Sequence, residues 1–253
     1  MQKDRPYVER LTDLRAELAR RRALARQPHP AGVTSPSRQL LLGELGALLP
    51  RRLDLRGIKK AAHPRPVMLL PGFLASVFSM RPLSRMLDAA GHSVSDWGLG
   101  FNLGASEQRL ERLRQRVETM ARREGQPLVL VGWSLGGVYA REVAKLSPHA
   151  VAGVITLGSP FSGSMRANNA WRVYHLVAGH DVDAPPILAD FATKPPVPTI
   201  ALWSARDGVV SPRSARGKPG ERDKAIAVRC LHMRFPRDKE VGQVVLDLLD
   251  SIP

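Results

Sequence analysis

The stretch Val129-Leu-Val-Gly-Trp-Ser-Leu-Gly-Gly-Val-Tyr-Ala140 decides the fold, because an apolar strand breaks there into small residues and then into a helix. Within it, Gly132-Trp-Ser-Leu-Gly136 fits G-x-S-x-G, the pattern that holds a serine on a strained strand-to-helix turn with its hydroxyl exposed. A side chain at either glycine would collide with the opposite segment, since strand and helix nearly touch. The pattern predicts a nucleophile elbow with Ser134 at its tip; the alternative is an ordinary glycine-containing turn.

Short apolar segments alternate with helical ones along most of the chain. Strands are predicted at 67–70, 92–97, 128–131, 151–157, 199–203 and 225–228, and helices at 81–90, 106–124, 135–146 and 240–251. Regular alternation of this kind predicts a mainly parallel sheet of about six strands with helices on both faces, an α/β fold. A Pro-rich, partly helical insertion at 162–198 is predicted to form a short cap.

The first part of the chain is basic and helical in pattern. Residues 7–26 are predicted as an amphipathic helix that must dock on another surface. Its apolar positions are Val8, Leu11, Leu14 and Leu18. A second, leucine-rich helix is predicted over 35–49, and residues 51–66 are predicted as a linker. We expect an N-terminal basic helical extension over residues 1–60 and one α/β domain over residues 61–253.

The formal net charge of +15 is concentrated in two regions. Residues 1–60 hold 14 Lys and Arg against 6 Asp and Glu, and residues 206–237 hold 9 against 3. Neither region interleaves basic residues with aromatic ones and no nucleic-acid motif occurs, so nucleic acid is not expected as a partner. Two alternatives stay open: an arginine-rich solvated surface, and contact of residues 1–60 with an anionic membrane or partner.

The single cysteine, Cys230, excludes an internal disulfide and is compatible with a reducing compartment. No apolar run reaches the roughly 18 residues of a membrane span, and no apolar segment follows the first charges of the N-terminus. We therefore expect a cytoplasmic protein, with a membrane-peripheral location left open by its basic helices.

A serine hydroxyl is a poor nucleophile at neutral pH, so Ser134 needs a base to take its proton and a carboxylate to orient that base. After an elbow of this kind, an acid and then a histidine are expected, each beyond a later strand. Asp207 comes just after the strand at 199–203, and His232 stands four residues past the strand at 225–228. We predict that His232 is the base and that the carboxylate of Asp207 orients its imidazole.

Other histidines and acids fit this order less well. Four histidines precede strands or lie in connections that do not fit the expected order of serine, acid and histidine: His29, His63, His92 and His149. His175, His180, Asp181, Asp183 and Asp190 fall in the insertion. The spacing within His180-Asp-Val-Asp183 suits no standard metal site, so neither a metal nor another cofactor is expected.

An acyl-transfer site also needs two backbone donors for the oxyanion. One should be the amide of Leu135, directly after the nucleophile. The other should come from the turn Pro71-Gly-Phe-Leu74, with Phe73 as the favoured donor; the alternative is an ordinary Pro-Gly turn.

These residues together resemble the α/β-hydrolase superfamily, and within it small bacterial lipase- and esterase-like proteins. The matching segments are Leu70-Pro-Gly-Phe-Leu74, Gly132-Trp-Ser-Leu-Gly-Gly137, Leu157-Gly-Ser-Pro160, Asp207-Gly208 and His232. The resemblance implies a serine hydrolase of carboxylic esters with an acyl-enzyme intermediate that water hydrolyses. Its apolar cap residues would line an acyl pocket or pack the cap; they are Trp171, Val173, Leu176, Val177, Ile187, Leu188 and Phe191.

The chain departs from the family pattern in two ways. Members commonly open with an antiparallel strand pair, whereas residues 1–60 read as helical here. Many also carry His-Gly before the oxyanion donor and a small residue after the catalytic histidine, where this chain has Pro71-Gly72 and Met233-Arg234.

Because fold and triad do not fix the acceptor, acyl transfer or thioester hydrolysis stays open. So does a catalytically silent protein that binds membranes or partners through its basic helices.

Overall fold

The protein is built on a sheet of parallel strands. The computed structural model describes residues 7–47, 49, 53–187 and 190–252, with 7–11 described for their backbone alone. In these residues the sheet has six strands: β1 (Pro66–Leu70), β2 (Ser93–Asp96), β3 (Leu128–Trp133), β4 (Val151–Leu157), β5 (Thr199–Trp203) and β6 (Lys224–Ala227). They lie in the order β2-β1-β3-β4-β5-β6, and every neighbouring pair is parallel. The predicted parallel α/β fold is confirmed.

The central strands are apolar because both of their faces are covered. Every residue of β1 and β3 is buried, as expected for parallel strands between two helical layers. The edge strands β2 and β6 are only partly buried, and their polar ends, such as Asp96 and Lys224, are exposed. The apolar runs therefore mark the middle of the sheet.

Helices cover both faces of the sheet. They are α3 (Val77–Ala90), α4 (Glu107–Glu124), α5 (Leu135–Leu146) and α8 (Lys239–Ser251), with shorter helices α6 (Trp171–Ala178) and α7 (Pro212–Arg216) and 3-10 turns at Pro148–Ala150 and His232–Arg237. Side chains of α3 and α8 form one apolar core with the sheet, and those of α4 and α5 form the other. The helix predicted at 81–90 begins earlier, at Val77, and the sequence did not predict α7.

The strands end together at one edge of the sheet. Leu70 pairs with Gly132 in register, and Trp133 pairs with Leu157. Leu157 in turn pairs with Leu202, and the end of β5 pairs with the end of β6. Because parallel strands all point to this edge, the segments that follow β1, β3, β5 and β6 meet there.

Helix α1 (Tyr7–Ala25) packs on α6 through arginines. The guanidinium of Arg20 donates to the carbonyl of Gly179 at 2.6 Å, and that of Arg21 donates to the carbonyl of Val177 at 2.9 Å. The apolar stripe predicted to dock this helix is exposed at Leu14 and Leu18, by 56% and 45%. The side chains of Val8 and Leu11 lie outside the described residues. Arginine-to-carbonyl bonds therefore hold the described part of α1 against the end of α6.

Helix α2 (Arg38–Ala47) lies against the loop that follows β5. A methyl group at Gly208 would stand 2.4 Å from the carbonyl oxygen of Leu40, so the two backbones touch. Leu40 is half-buried, whereas Leu42 and Leu45 are exposed by 66% and 64%. Its buried residues are instead Glu44 and Ala47. Leu48 and Pro50, at the predicted helix end, lie outside the described residues.

Helix α5 follows β3 after a single residue, and the two segments nearly touch. A methyl group at Gly132 would lie 2.4 Å from the carbonyl oxygen of Gly136, and one at Gly136 would lie 2.3 Å from the carbonyl oxygen of Leu70. These obstacles are backbone atoms, which cannot rotate away as a side chain can. Glycine at 132 and 136 is therefore a condition for the helix to start where it does.

We expect Gly136→Ala to lower the free energy of unfolding by about 2 kcal/mol, the usual scale for overpacking a closed site. Gly46→Ala is the matched control, since Gly46 is also helical and an added methyl group there meets no atom within 4 Å among the described residues. That substitution should leave stability unchanged or raise it by about 0.5–1 kcal/mol. Urea unfolding of both variants measures the difference, and equal effects would contradict the steric argument.

Candidate active site

Ser134 stands alone between β3 and α5 in a strained backbone conformation. Its φ of 53° and ψ of −124° lie where residues other than glycine are rarely found. Its amide donates to the carbonyl oxygen of Leu157 at 2.9 Å, which ties the turn to β4. Such strain persists only where the surrounding structure enforces it, and it is common at nucleophile elbows.

His232 and Asp207 are joined by a hydrogen bond of 2.7 Å between imidazole Nδ1 and carboxylate Oδ2. Both residues are buried. The other carboxylate oxygen of Asp207 accepts from the amides of Val209 and Val210 at 2.8 and 2.7 Å. Because two backbone donors hold it, the carboxylate faces the imidazole in a fixed orientation. The structure thus brings the two predicted partners together from loops after β5 and β6.

The imidazole of His232 lies beside the residue that precedes Ser134. The rings of Trp133 and His232 have centroids 5.7 Å apart, and the indole N–H of Trp133 donates to the carbonyl of His232 at 3.1 Å. Within the described part of the chain, no hydrogen bond engages the Ser134 hydroxyl or His232 Nε2. Catalytic hydrogen bonds of this kind are commonly long before substrate binds. The link from serine to histidine stays a prediction.

The loop after β4 contacts His232 and Asp207 at a glycine, Gly158. Gly158 has a φ of +58°, and a methyl group there would lie 3.0 Å from Asp207 Oδ2 and 3.2 Å from His232 Nδ1. Both the backbone conformation and the space require glycine. The segment Leu157-Gly-Ser-Pro160 contributes to the family resemblance. It contacts both His232 and Asp207 through Gly158.

The predicted oxyanion turn lies directly against the serine. A methyl group at Gly72 would stand 3.1 Å from Ser134 Cβ. The turn is held by Asn102, whose side-chain amide donates to the carbonyl of Pro71 and whose carbonyl accepts from the amide of Leu74. Among the described residues, no hydrogen bond engages the amide of Phe73. The assignment of Phe73 and Leu135 as oxyanion donors stays a prediction.

A pocket lined mainly by apolar side chains opens beside Ser134 and runs along α5 under the cap. Its helix side is formed by Leu135, Val138, Tyr139 and Glu142. The cap residues that line it are Met165, Trp171, Tyr174, Val182, Pro185, Ile187 and Phe191. Of the predicted cap residues, Val173 and Leu176 are exposed instead, and Leu188 lies outside the described residues. This apolar lining is typical of a site for an apolar ligand.

Sequence reasoning missed several polar residues that line the pocket, among them Tyr139, Glu142 and Tyr174. The hydroxyl of Tyr174 accepts from the amide of Ala105 at 2.8 Å, and that of Tyr139 donates to the carbonyl of Gly104 at 2.9 Å. Burial raises the pKa of Tyr139 to about 12. Burial also raises the pKa of Glu142, against a 2.6 Å bond from Lys145. Helical spacing from Leu135 would have indicated Tyr139 and Glu142, because residues four and seven positions on share a helix face.

The end of the cap is tied to α5 by Arg141, which is fully buried. Its guanidinium lies 4.1 Å from the ring centroid of Phe161. It donates at 3.0 to 3.2 Å to the carbonyls of Phe191, Ala192, Thr193 and Glu221. Burial lowers the pKa of Arg141 to about 10. One helix side chain therefore joins the cap to the body of the domain.

Polar residues of the insertion pair within the cap and also bond to residues at the end of α1. Arg166 pairs with Asp181 at 2.8 Å and with Asp183 at 2.6 Å. His175 accepts from the amide of Val182 at 3.0 Å. In the described part of the chain, no group of three or more His, Cys, Asp or Glu is arranged to hold a metal ion.

Comparison with known proteins agrees with this architecture. A family model described as lecithin:cholesterol acyltransferase matches residues 90–194. A pimeloyl-[acyl-carrier protein] methyl ester esterase of Sodalis glossinidius (strain morsitans) is 40% identical over 68 residues, which are 27% of this chain and 25% of that protein. The chain thus matches about a quarter of the length of this curated relative.

Solved structures match over most of the chain. Naproxen esterase from Bacillus subtilis superposes with a TM-score of 0.51 at 14% identity, covering 76% of this chain and 85% of that one. An α/β-hydrolase enzyme from the metagenome of lagoon sediments of Mar Chica, Morocco, gives a TM-score of 0.53 at 19% identity, covering 76% and 93%. The chain has the α/β-hydrolase fold, and the resemblance noted in its sequence is confirmed at that level.

The free thiol of Cys230 is expected to be inert in the native protein. The residue is 4% exposed, and burial raises the pKa of its thiol far above the ordinary value, so thiolate is scarce. An aromatic disulfide reagent should react with native protein only as fast as it unfolds, and should titrate the thiol promptly in denaturant. Rapid reaction in native buffer would contradict this expectation and make Cys230 a rival nucleophile.

Proposed function

We propose that this protein is a serine hydrolase that cleaves carboxylic esters through Ser134, His232 and Asp207. The observation that carries the proposal is the 2.7 Å bond between His232 and Asp207 at the sheet edge where Ser134 sits in its strained turn. A buried carboxylate fixed on imidazole Nδ1 leaves Nε2 to take a proton. The relatives named as esterases support the same reaction class.

In this mechanism His232 accepts the hydroxyl proton as Ser134 Oγ attacks the ester carbonyl carbon. Charge develops on the carbonyl oxygen, where the amides of Phe73 and Leu135 would donate to it. The imidazolium, stabilised by Asp207, then gives its proton to the departing alcohol and leaves an acyl-enzyme. Water, deprotonated by the same imidazole, releases the acid and restores Ser134.

The pocket suits the acyl part of such a substrate. Its walls are mainly aliphatic and aromatic side chains, so burial of an apolar chain would stabilise the complex. Leu135 and Glu142 are seven helical positions apart, so the lined face of α5 extends about 10 Å from the serine. We infer an ester with an apolar acyl group of medium length.

Acyl transfer or thioester hydrolysis on the same residues is the second reaction class. The partial match to an acyltransferase family model favours keeping it, since an acyl-enzyme can react with an alcohol or thiol in place of water. Product analysis with and without an added alcohol distinguishes transfer from hydrolysis.

We expect Ser134→Ala and His232→Ala to lower kcat on p-nitrophenyl esters by about 10⁴-fold, and Asp207→Asn to cause a smaller loss. Each substitution removes one member of the proton-transfer chain. A series of esters with increasing acyl length, assayed for kcat/KM, measures the activity and the fit of the pocket together. Fluorophosphonate labelling of the wild-type protein, absent in Ser134→Ala, is the independent check.

Full ester hydrolysis by Ser134→Ala, or a normal rate in Asp207→Asn, would contradict the assignment. A wild-type protein that neither hydrolyses esters nor takes the probe would favour the alternative of a catalytically silent protein that acts through its basic helices. In that case the strained serine would be retained without chemistry.

A peripheral contact with an anionic membrane is a second candidate, favoured by one face of α1. Leu14 and Leu18 are exposed beside the exposed Arg15 and Arg22, an arrangement that suits a lipid surface. Val173 of the neighbouring α6 is exposed too, by 46%. None of the helices in the described ranges is long and apolar enough to cross a bilayer.

We expect the wild-type protein to bind vesicles containing phosphatidylserine, with an affinity that falls as salt is raised. Replacing Arg15 and Arg22 by glutamine should weaken this binding by about tenfold or more, because each arginine near the surface contributes about 1 kcal/mol. The matched control replaces Arg122 and Arg123, which are exposed on α4. Vesicle co-sedimentation measures both variants, and equal effects would contradict a role for α1.

A further inference from the structure

Glu44 is a buried carboxylate in an unusual place. It lies on α2, outside the sheet and its covering helices, yet only 4% of it is exposed. Among the described residues, no Lys, Arg or His side chain forms an ion pair with it. A buried charge is costly unless hydrogen bonds replace its water, so its partners must be backbone donors.

Three amides supply those hydrogen bonds, and they belong to the two loops that carry Asp207 and His232. Oε1 accepts from the amide of Gly208 at 2.8 Å and from the amide of His232 itself at 2.7 Å. Oε2 accepts from the amide of Met233 at 2.9 Å. One carboxylate therefore joins the residue after the acid to the histidine and its neighbour.

We propose that Glu44 is a positioning residue for the histidine–aspartate pair, an inference that rests on the proposed hydrolase function. Hydrogen bonds to a charged acceptor are shorter and stronger than neutral ones, so the three bonds fix the spacing of the two loops. The spacing sets the bond between His232 and Asp207, and with it the direction of the imidazole. Misplacement of a reacting group by about 1 Å can cost roughly 10²-fold in rate.

Because both carboxylate oxygens of Glu44 accept hydrogen bonds from amides, the group brings negative charge next to the backbone of His232. Negative charge near an imidazole favours its protonated form, which is the form that hydrolysis generates. The carboxylate does not line the substrate pocket. Its loss should therefore act on the chemical step and on proton transfer more than on substrate binding.

Two substitutions separate charge from reach. Glu44→Gln keeps the length of the side chain and removes the charge, and its amide N–H₂ must face at least one backbone N–H. Glu44→Asp keeps the charge and is one methylene shorter, so it cannot reach both loops as Glu44 does. Glu240→Gln is the matched control, because Glu240 is exposed in the first turn of α8.

For Glu44→Gln we expect kcat to fall by about 10²-fold with little change in KM. The acid limb of its kcat/KM profile should move to lower pH, because loss of a nearby negative charge disfavours the imidazolium. Glu44→Asp should lose kcat while keeping the acid limb near its wild-type position, and Glu240→Gln should match the wild-type protein in both measurements. A role limited to folding would lower the melting temperature without moving the acid limb.

An NMR titration of the His232 imidazole separates this inference from the proposed function. A lower pKa of that imidazole in Glu44→Gln would support the inference even if the wild-type protein hydrolysed no ester. Wild-type kcat together with an unchanged imidazole titration in Glu44→Gln would overturn it. If Glu44→Gln does not fold, Glu44→Asp carries the test, and an unchanged kcat in that variant overturns the inference.

Discussion

At the end of β3 the chain comes so close to the helix it is about to form that a methyl group at Gly132 would lie 2.4 Å from the carbonyl of Gly136. This approach leaves room for only one residue between strand and helix, and Ser134 takes the strained conformation that results. The strain is sustained by β1 and β4, which pair with β3 on either side. The chemistry proposed for Ser134 thus depends on how tightly the sheet and α5 are packed.

Backbone amides hold the two buried carboxylates that lie next to His232. Asp207 accepts from two amides of its own loop, and Glu44 accepts from three amides in two loops. Backbone donors cannot rotate away, so each carboxylate keeps one orientation. The histidine between them is held by a side chain on its ring and by another on its amide. Rigid support of this kind is what general acid–base catalysis requires.

The sequence predicted the parts of the fold that follow from local pattern, namely the apolar strands and the close approach at Gly132 and Gly136. It also predicted that Asp207 and His232 would lie near each other, which the structure shows. It predicted the start of α3 too late, since Pro82 resembles a residue of a first helical turn and in fact lies inside the helix. Glu44 could not be found, because it sits among leucines and its partners are 164 to 189 residues away. Helix α2 is rich in leucine, yet its buried residues are Glu44 and Ala47.

The bonds of Arg141 have a consequence for how a ligand would be chosen. The guanidinium of Arg141 bonds to three successive carbonyls of the cap. These bonds hold that part of the cap in place on α5. The width of the pocket is then set when the chain folds. We expect no closing movement of the cap over a ligand on that side. Ligands would then be selected by their fit to a pre-formed pocket of constant size.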